Sequence, residues 1–138
     1  MTDLTPLLTI YIAVLSAVLG LFLGSFLCCA GIRLARGESF IKGRSHCDSC
    51  GHVLGARDLV PLASFLFLKG RCRYCGVKIP KITIITELLT AAAFLTLFLH
   101  FGLTALSVRY ALLVCALIVV SIADLHSLEI PHGPLVFA

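Results

Sequence analysis

Residues 7–32 read LLTIYIAVLSAVLGLFLGSFLCCAGI, a run with no charged side chain. A helix rises about 1.5 Å per residue, so this run is longer than the ~30 Å hydrocarbon core of a bilayer. The six residues before it, MTDLTP, carry no basic cluster, and no small-residue cleavage site follows. The stretch therefore reads as a retained transmembrane helix, not a signal peptide. The whole chain agrees: of its 138 residues 59% are hydrophobic and 13% charged, and its mean hydropathy is +1.07. Soluble domains carry about 25% charged residues, so that class is excluded. The net charge of +4 is not interleaved with aromatic residues as in single-strand binders, and no nucleic-acid partner is expected. The apolar partner is membrane lipid.

Two further spans are predicted, at residues 82–101 and 106–123, joined by a connection over 100–104 that is too short for anything but a tight turn between antiparallel neighbours. A fourth apolar stretch begins near Gly133. The expected fold is an all-α integral membrane protein with about three transmembrane helices and a polar loop between the first and second. Four regions follow: 1–32, the outside N-terminus and first span; 33–81, the loop; 82–124, the second and third spans; and 125–138, a loop and the start of a truncated fourth helix. Ten of the eleven Lys and Arg fall between Arg33 and Lys81, the exception being Arg109. By the positive-inside rule the loop is cytoplasmic.

That loop holds Cys47-Asp48-Ser49-Cys50 and Cys72-Arg73-Tyr74-Cys75, with 21 residues between Cys50 and Cys72. Each Cys-x-x-Cys presents two thiolates, and the spacing, just past the usual range for paired knuckles, lets four sulfurs converge as zinc prefers. Two disulfides or four unrelated thiols are the alternative; a reducing cytosol argues against disulfides. Four thiolates leave no open coordination position, so the zinc is expected to be structural and to order the loop. Gly51 and Gly76 follow the knuckles, where a residue tolerant of positive φ lets the turn close. His46 and His52 flank the first knuckle as substitute ligands. Cys28, Cys29 and Cys115 lie inside spans and read as apolar packing residues.

At the end of the third span stands Asp124, in a helix uncharged from Tyr110 onward. A carboxylate at a membrane boundary is a functional candidate, weighed evenly against a simple marker of where the helix leaves lipid. An aspartate can activate water against a peptide carbonyl, yet aspartic proteases share the proton between two carboxylates. Glu87 and Glu129 are the other acids near this face, and neither is singled out by spacing. Glu87 reads as a structural residue of the bundle.

Taken together, Gly24-Ser25-Phe26-Leu27, Arg33-Leu34, Arg44-Ser45 with the first knuckle, Asp58-Leu59-Val60-Pro61-Leu62 with Ser64-Phe65, Gly70-Arg71 with the second knuckle, Ile79 and Glu87-Leu88 resemble the N-terminal half of type IV prepilin peptidases. Asp124 with Glu129-Ile130-Pro131 resembles that family's first catalytic-aspartate motif. Ala35, Asp48, Thr83 and His132 depart from its common pattern. The resemblance implies a bacterial inner-membrane, multi-pass aspartic endopeptidase that removes the leader of prepilins and pseudopilins. Many members also methylate the new N-terminus with S-adenosylmethionine, which would be a second cofactor where that activity is retained. It implies Asp124 as catalytic and Cys47, Cys50, Cys72 and Cys75 as the metal ligands. The second aspartate belongs to a Gly-x-Gly-Asp motif that is not in these 138 residues, so the chain alone is expected to be inactive and to need a C-terminal peptidase half. A non-catalytic zinc-stabilised scaffold and one half of a split peptidase are the alternatives.

Overall fold

A computed structural model describes residues 6–39 and 44–128. Three long helices dominate it: α1 (Pro6–Ala35), α3 (Lys81–Phe101) and α4 (Ala105–Leu128), with a five-residue helix α2 (Ala63–Phe67) in the loop between α1 and α3. All three long helices are apolar and long enough to cross a membrane, as expected from residues 7–32, 82–101 and 106–123. One boundary differs. The third helix runs through Leu128, so residues 125–128 are helical and not loop, and Asp124 sits a turn before the helix end. The expected fourth helix and Glu129 lie outside the described residues.

Local chemistry sets the helix ends. Gly37, at φ 69°, closes α1: its N–H donates to the Leu34 carbonyl (3.1 Å) and the Glu38 N–H to that of Arg33 (2.9 Å), the paired bonds of a Schellman cap. Pro80 directly precedes α3. Thr104 and Ser107 cap α4 reciprocally, the Ser107 N–H donating to Thr104 Oγ1 (3.3 Å) and the Thr104 N–H to Ser107 Oγ (3.1 Å), a capping box with serine in the usual glutamate place.

The bundle is held by close backbone approach, because lipid offers no hydrophobic drive for helices to pair. A methyl group on Gly20 would fall 2.6 Å from Ala91 Cα, and one on Gly24 would fall 2.8 Å from Glu87 Cα. This Gly20-x-x-x-Gly24 face seats α1 on α3. Farther along, Gly31 meets Ile122 of α4 in the same way, at 2.8 Å. Inside, Thr86 Oγ1 donates to the Ile82 carbonyl (2.8 Å) and Thr90 Oγ1 to that of Thr86 (2.7 Å), whereas the buried Nδ1 of His126 has no hydrogen-bond partner among the described residues. Because α1 and α3 are antiparallel and α4 returns alongside, the end of α1, the start of α3 and Asp124 of α4 share the loop-bearing end of the bundle.

Candidate metal centre and the cavity beneath it

Each cysteine knuckle is a miniature hairpin, and the two are built alike. In the first, the Cys47 N–H donates to the His52 carbonyl (2.9 Å), the Gly51 N–H to that of Cys47 (2.8 Å) and the Leu54 N–H to that of Ser45 (2.8 Å). In the second, 25 positions on, the Cys72 N–H donates to Val77 (2.8 Å), the Gly76 N–H to Cys72 (3.0 Å) and the Ile79 N–H to Gly70 (2.8 Å). Single antiparallel bridges, His46 with Val53 and Arg71 with Lys78, repeat at the same offset. Gly51 and Gly76 have φ of 69° and 72° with nothing near their Cα hydrogens, so the positive dihedral, and not space, demands glycine. The sequence reading caught the glycines but not the repeat, whose signal is the 25-residue offset that maps Cys47 on Cys72, Cys50 on Cys75 and Gly51 on Gly76.

This construction brings the sulfurs of Cys47, Cys50, Cys72 and Cys75 within 4.8 Å of one another. Cys47 Sγ lies 3.8 Å from Cys75 Sγ, which matches the edge, about 3.8 Å, of a sulfur tetrahedron around an ion bonded at about 2.3 Å, the zinc–thiolate length. Amides of Cys50 and Ser49 pull the Cys47 thiol down to about 7. Cys75 moves the other way, to about 11: the Val77 amide lowers it, while burial and the three neighbouring sulfurs raise it further. Four thiolates this close repel one another unless a cation neutralises them, so both the spacing and the charge of the set fit a metal ion. The histidines serve elsewhere. His52 packs its ring on Tyr74 at 3.6 Å, bridging the hairpins, and His46 Nδ1 lies 3.3 Å from the Arg44 carbonyl.

Ion pairs fasten the hairpins to their surroundings. Arg36, just past α1, grips Asp48 with two bonds of 3.2 Å, and the guanidinium holds that carboxyl below the usual carboxylate range. Arg73 Nε donates to Asp58 at 2.8 Å. Burial would raise the Asp58 carboxyl, but the Gly55 amide at 3.1 Å and the guanidinium outweigh it and bring it below its usual range. Glu87 anchors the segment between the hairpins: it is 3% exposed, and its Oε2 accepts the Leu62 N–H at 2.8 Å. Leu62 has φ 57°, a region that costs a branched residue about 1–3 kcal/mol, and the carboxylate holds it there.

Beneath the hairpins lies a cavity of about 310 Å³, reached by Ser25 of α1, by Thr83, Ile84 and Glu87 of α3, and by Leu62 and Phe65 of the loop. Asp124 is not part of its lining. The aspartate is exposed, two residues past Ile122, and no hydrogen bond joins it to Glu87 among the described residues.

Three apolar helices carrying a four-cysteine loop between the first two define a multi-pass membrane protein with, at one end, four cysteines close enough to hold a metal ion. Residues 18–101 match the family model of the bacterial peptidase A24 N-terminal domain, and the chain belongs to that family. It is 37% identical over 120 residues to a prepilin leader peptidase/N-methyltransferase of Bacillus subtilis (strain 168), covering 87% of this chain and 48% of the relative. It is 40% identical over 119 residues to one of Myxococcus xanthus (strain DK1622), covering 86% and 36%. A type 4 prepilin-like proteins leader peptide-processing enzyme of Escherichia coli O78:H11 is 42% identical over 88 residues, covering 64% and 33%. The chain thus spans about half or less of the length of these relatives. No solved structure matches it.

Proposed function

We propose that this chain is the N-terminal portion of a prepilin leader peptidase. The observation that carries the reading is the 37% identity over 87% of the chain to a relative bearing that name. In this role Asp124 is one of two carboxylates of an aspartic endopeptidase, and a C-terminal half supplies the other. Two carboxylates divide acid and base between them when one is protonated and one ionised, so neither half cleaves prepilin alone. The exposure of Asp124 at the loop-bearing end supports this, since an open carboxylate is one that a second half can meet. The loop faces the cytoplasm of the bacterial inner membrane, on the distribution of Lys and Arg. The four cysteines hold structural zinc, which closes the two hairpins and leaves no position for substrate. N-methylation of the trimmed N-terminus with S-adenosylmethionine is the accompanying activity that the relatives' names suggest.

The test is leader removal from a prepilin in membranes holding the chain, with and without a co-expressed C-terminal half carrying Gly-x-Gly-Asp. Cleavage is expected only with both halves and only with Asp124 intact. Processing that survives Asp124→Asn would overturn the assignment.

A further inference from the structure

The cavity beneath the hairpins presents an acid whose charge is not neutralised by a base. Of the acidic residues that line it, Asp48 is paired with Arg36 and Asp58 with Arg73. Glu87 is 97% buried by its 3% exposure, and its Oε2 takes the Leu62 N–H. Its Oε1 takes no hydrogen bond among the described residues. An amide N–H offsets only part of a carboxylate's charge, and a buried charge is costly unless paired. The remaining charged group of the lining, Lys78, stands exposed on the second hairpin and forms no ion pair with Glu87. Leu59, Leu62, Phe65, Ile79 and Ile84 supply apolar wall, and Ser25, Ser49, Ser64 and Thr83 add hydroxyls.

We infer that this cavity is a binding site for a small organic cation, a protonated amine on an apolar stem, with the free oxygen of Glu87 as its counter-charge. The ammonium donates to Oε1 while the stem lies against Phe65 and Ile84; Ser25 and Thr83 offer hydroxyls to the remaining N–H groups. A volume of about 310 Å³ is at the small end of ligand pockets, which run from about 300 to 1,000 Å³, and suits a single ring or short chain. Ligand chemistry of this kind comes from a free amine, a peptide N-terminus or a lysine side chain. The site needs neither Asp124 nor a second half, so it stands or falls apart from leader cleavage.

The experiment is calorimetric binding to the full, zinc-loaded chain in lipid nanodiscs, with empty nanodiscs subtracted. The probes are phenethylammonium and its neutral counterpart 2-phenylethanol. The ammonium should bind at least tenfold tighter than the alcohol, and Glu87→Gln should erase that preference while zinc content and helicity persist. Equal binding of the two probes, or a preference that survives Glu87→Gln, overturns the inference. Should Glu87→Gln lose its zinc, Ser25→Leu decides: filling the cavity from α1 must weaken ammonium binding at least tenfold, and unchanged binding overturns the site. Leu-Ala amide, with a free terminus, against acetyl-Leu-Lys amide then separates a peptide end from a lysine side chain.

Discussion

Glu87 of α3 accepts the backbone N–H of Leu62 at 2.8 Å, tying a strained loop residue to a membrane helix. The bond needs an acceptor at that reach but not a charge. Glu87→Ala should free residues 59–68 and cost about 1–3 kcal/mol for the orphaned donor and the lost bond. Glu87→Gln keeps an oxygen in place and should restore most of it. Limited proteolysis of the loop, followed by mass mapping, reads the difference; equal nicking of the two variants would remove the anchor role.

Substituting Gly24 tests the helix pairing. A methyl there would fall within 3 Å of backbone atoms of Glu87 and Thr86, which have no rotamer to yield. Gly24→Ala should destabilise the α1–α3 pair by about 1–3 kcal/mol, the usual cost of overpacking. Thermal unfolding in detergent checks it, with Gly51→Ala as a contrast, where the penalty is the dihedral alone.

Zinc content should be near one ion per chain and fall to background in Cys47→Ser and in Cys72→Ser, because each removes a ligand from a closed set. Chelation should loosen the loop and leave the helices folded, since their backbone groups are satisfied internally in lipid. Elemental analysis and far-UV circular dichroism report the two effects; a helix signal lost with the metal would mean the bundle depends on the loop.

The Arg73–Asp58 bond should contribute about 1 kcal/mol to holding the second hairpin, because the guanidinium is half exposed and solvent screens the pair. The Asp58 carboxyl is lowered by folding, so its contribution is complete above its unfolded value of about 3.9, declines as pH drops below that and is gone once pH falls through the lower folded value. Asp58→Asn should therefore reduce amide protection of residues 71–78 by the same factor at pH 7 and at pH 6. A factor that shrinks over that window would place the titration elsewhere.

Asp124→Asn should leave stability within about 0.5 kcal/mol, as expected for an exposed position outside any network. Thermal unfolding and zinc content matching the parent chain are the check that lost processing reflects chemistry and not folding.

Much of the architecture was legible because its signals are local. Residues 7–32 have no charge to interrupt a span, and Thr104 to Ser107 start a helix by their own hydroxyls. The cysteine spacing announced a four-sulfur set, and geometry delivered it. The Glu87–Leu62 bond was not legible, since donor and acceptor lie 25 positions apart in the sequence and nothing in Pro61-Leu62-Ala63 marks a positive φ. The cavity was hidden for the same reason: its walls come from α1, α3 and both hairpins. The end of the third helix was read early at Asp124, because a charge resembles a membrane boundary even where the backbone keeps its helical bonds for another turn.

Along α4, Ser107 and Ile122 are the residues of the described stretch that are buried. They stand roughly 22 Å apart at the helical rise. The helix is thus a beam on two supports, one at the turn from α3 and one where Ile122 fills the notch left by Gly31. Between the supports Leu112, Leu113, Leu117 and Val120 are exposed, a face open to lipid or to other helices. Asp124 overhangs the second support by about 3 Å, so whatever later lies along the free span, the carboxylate keeps its depth.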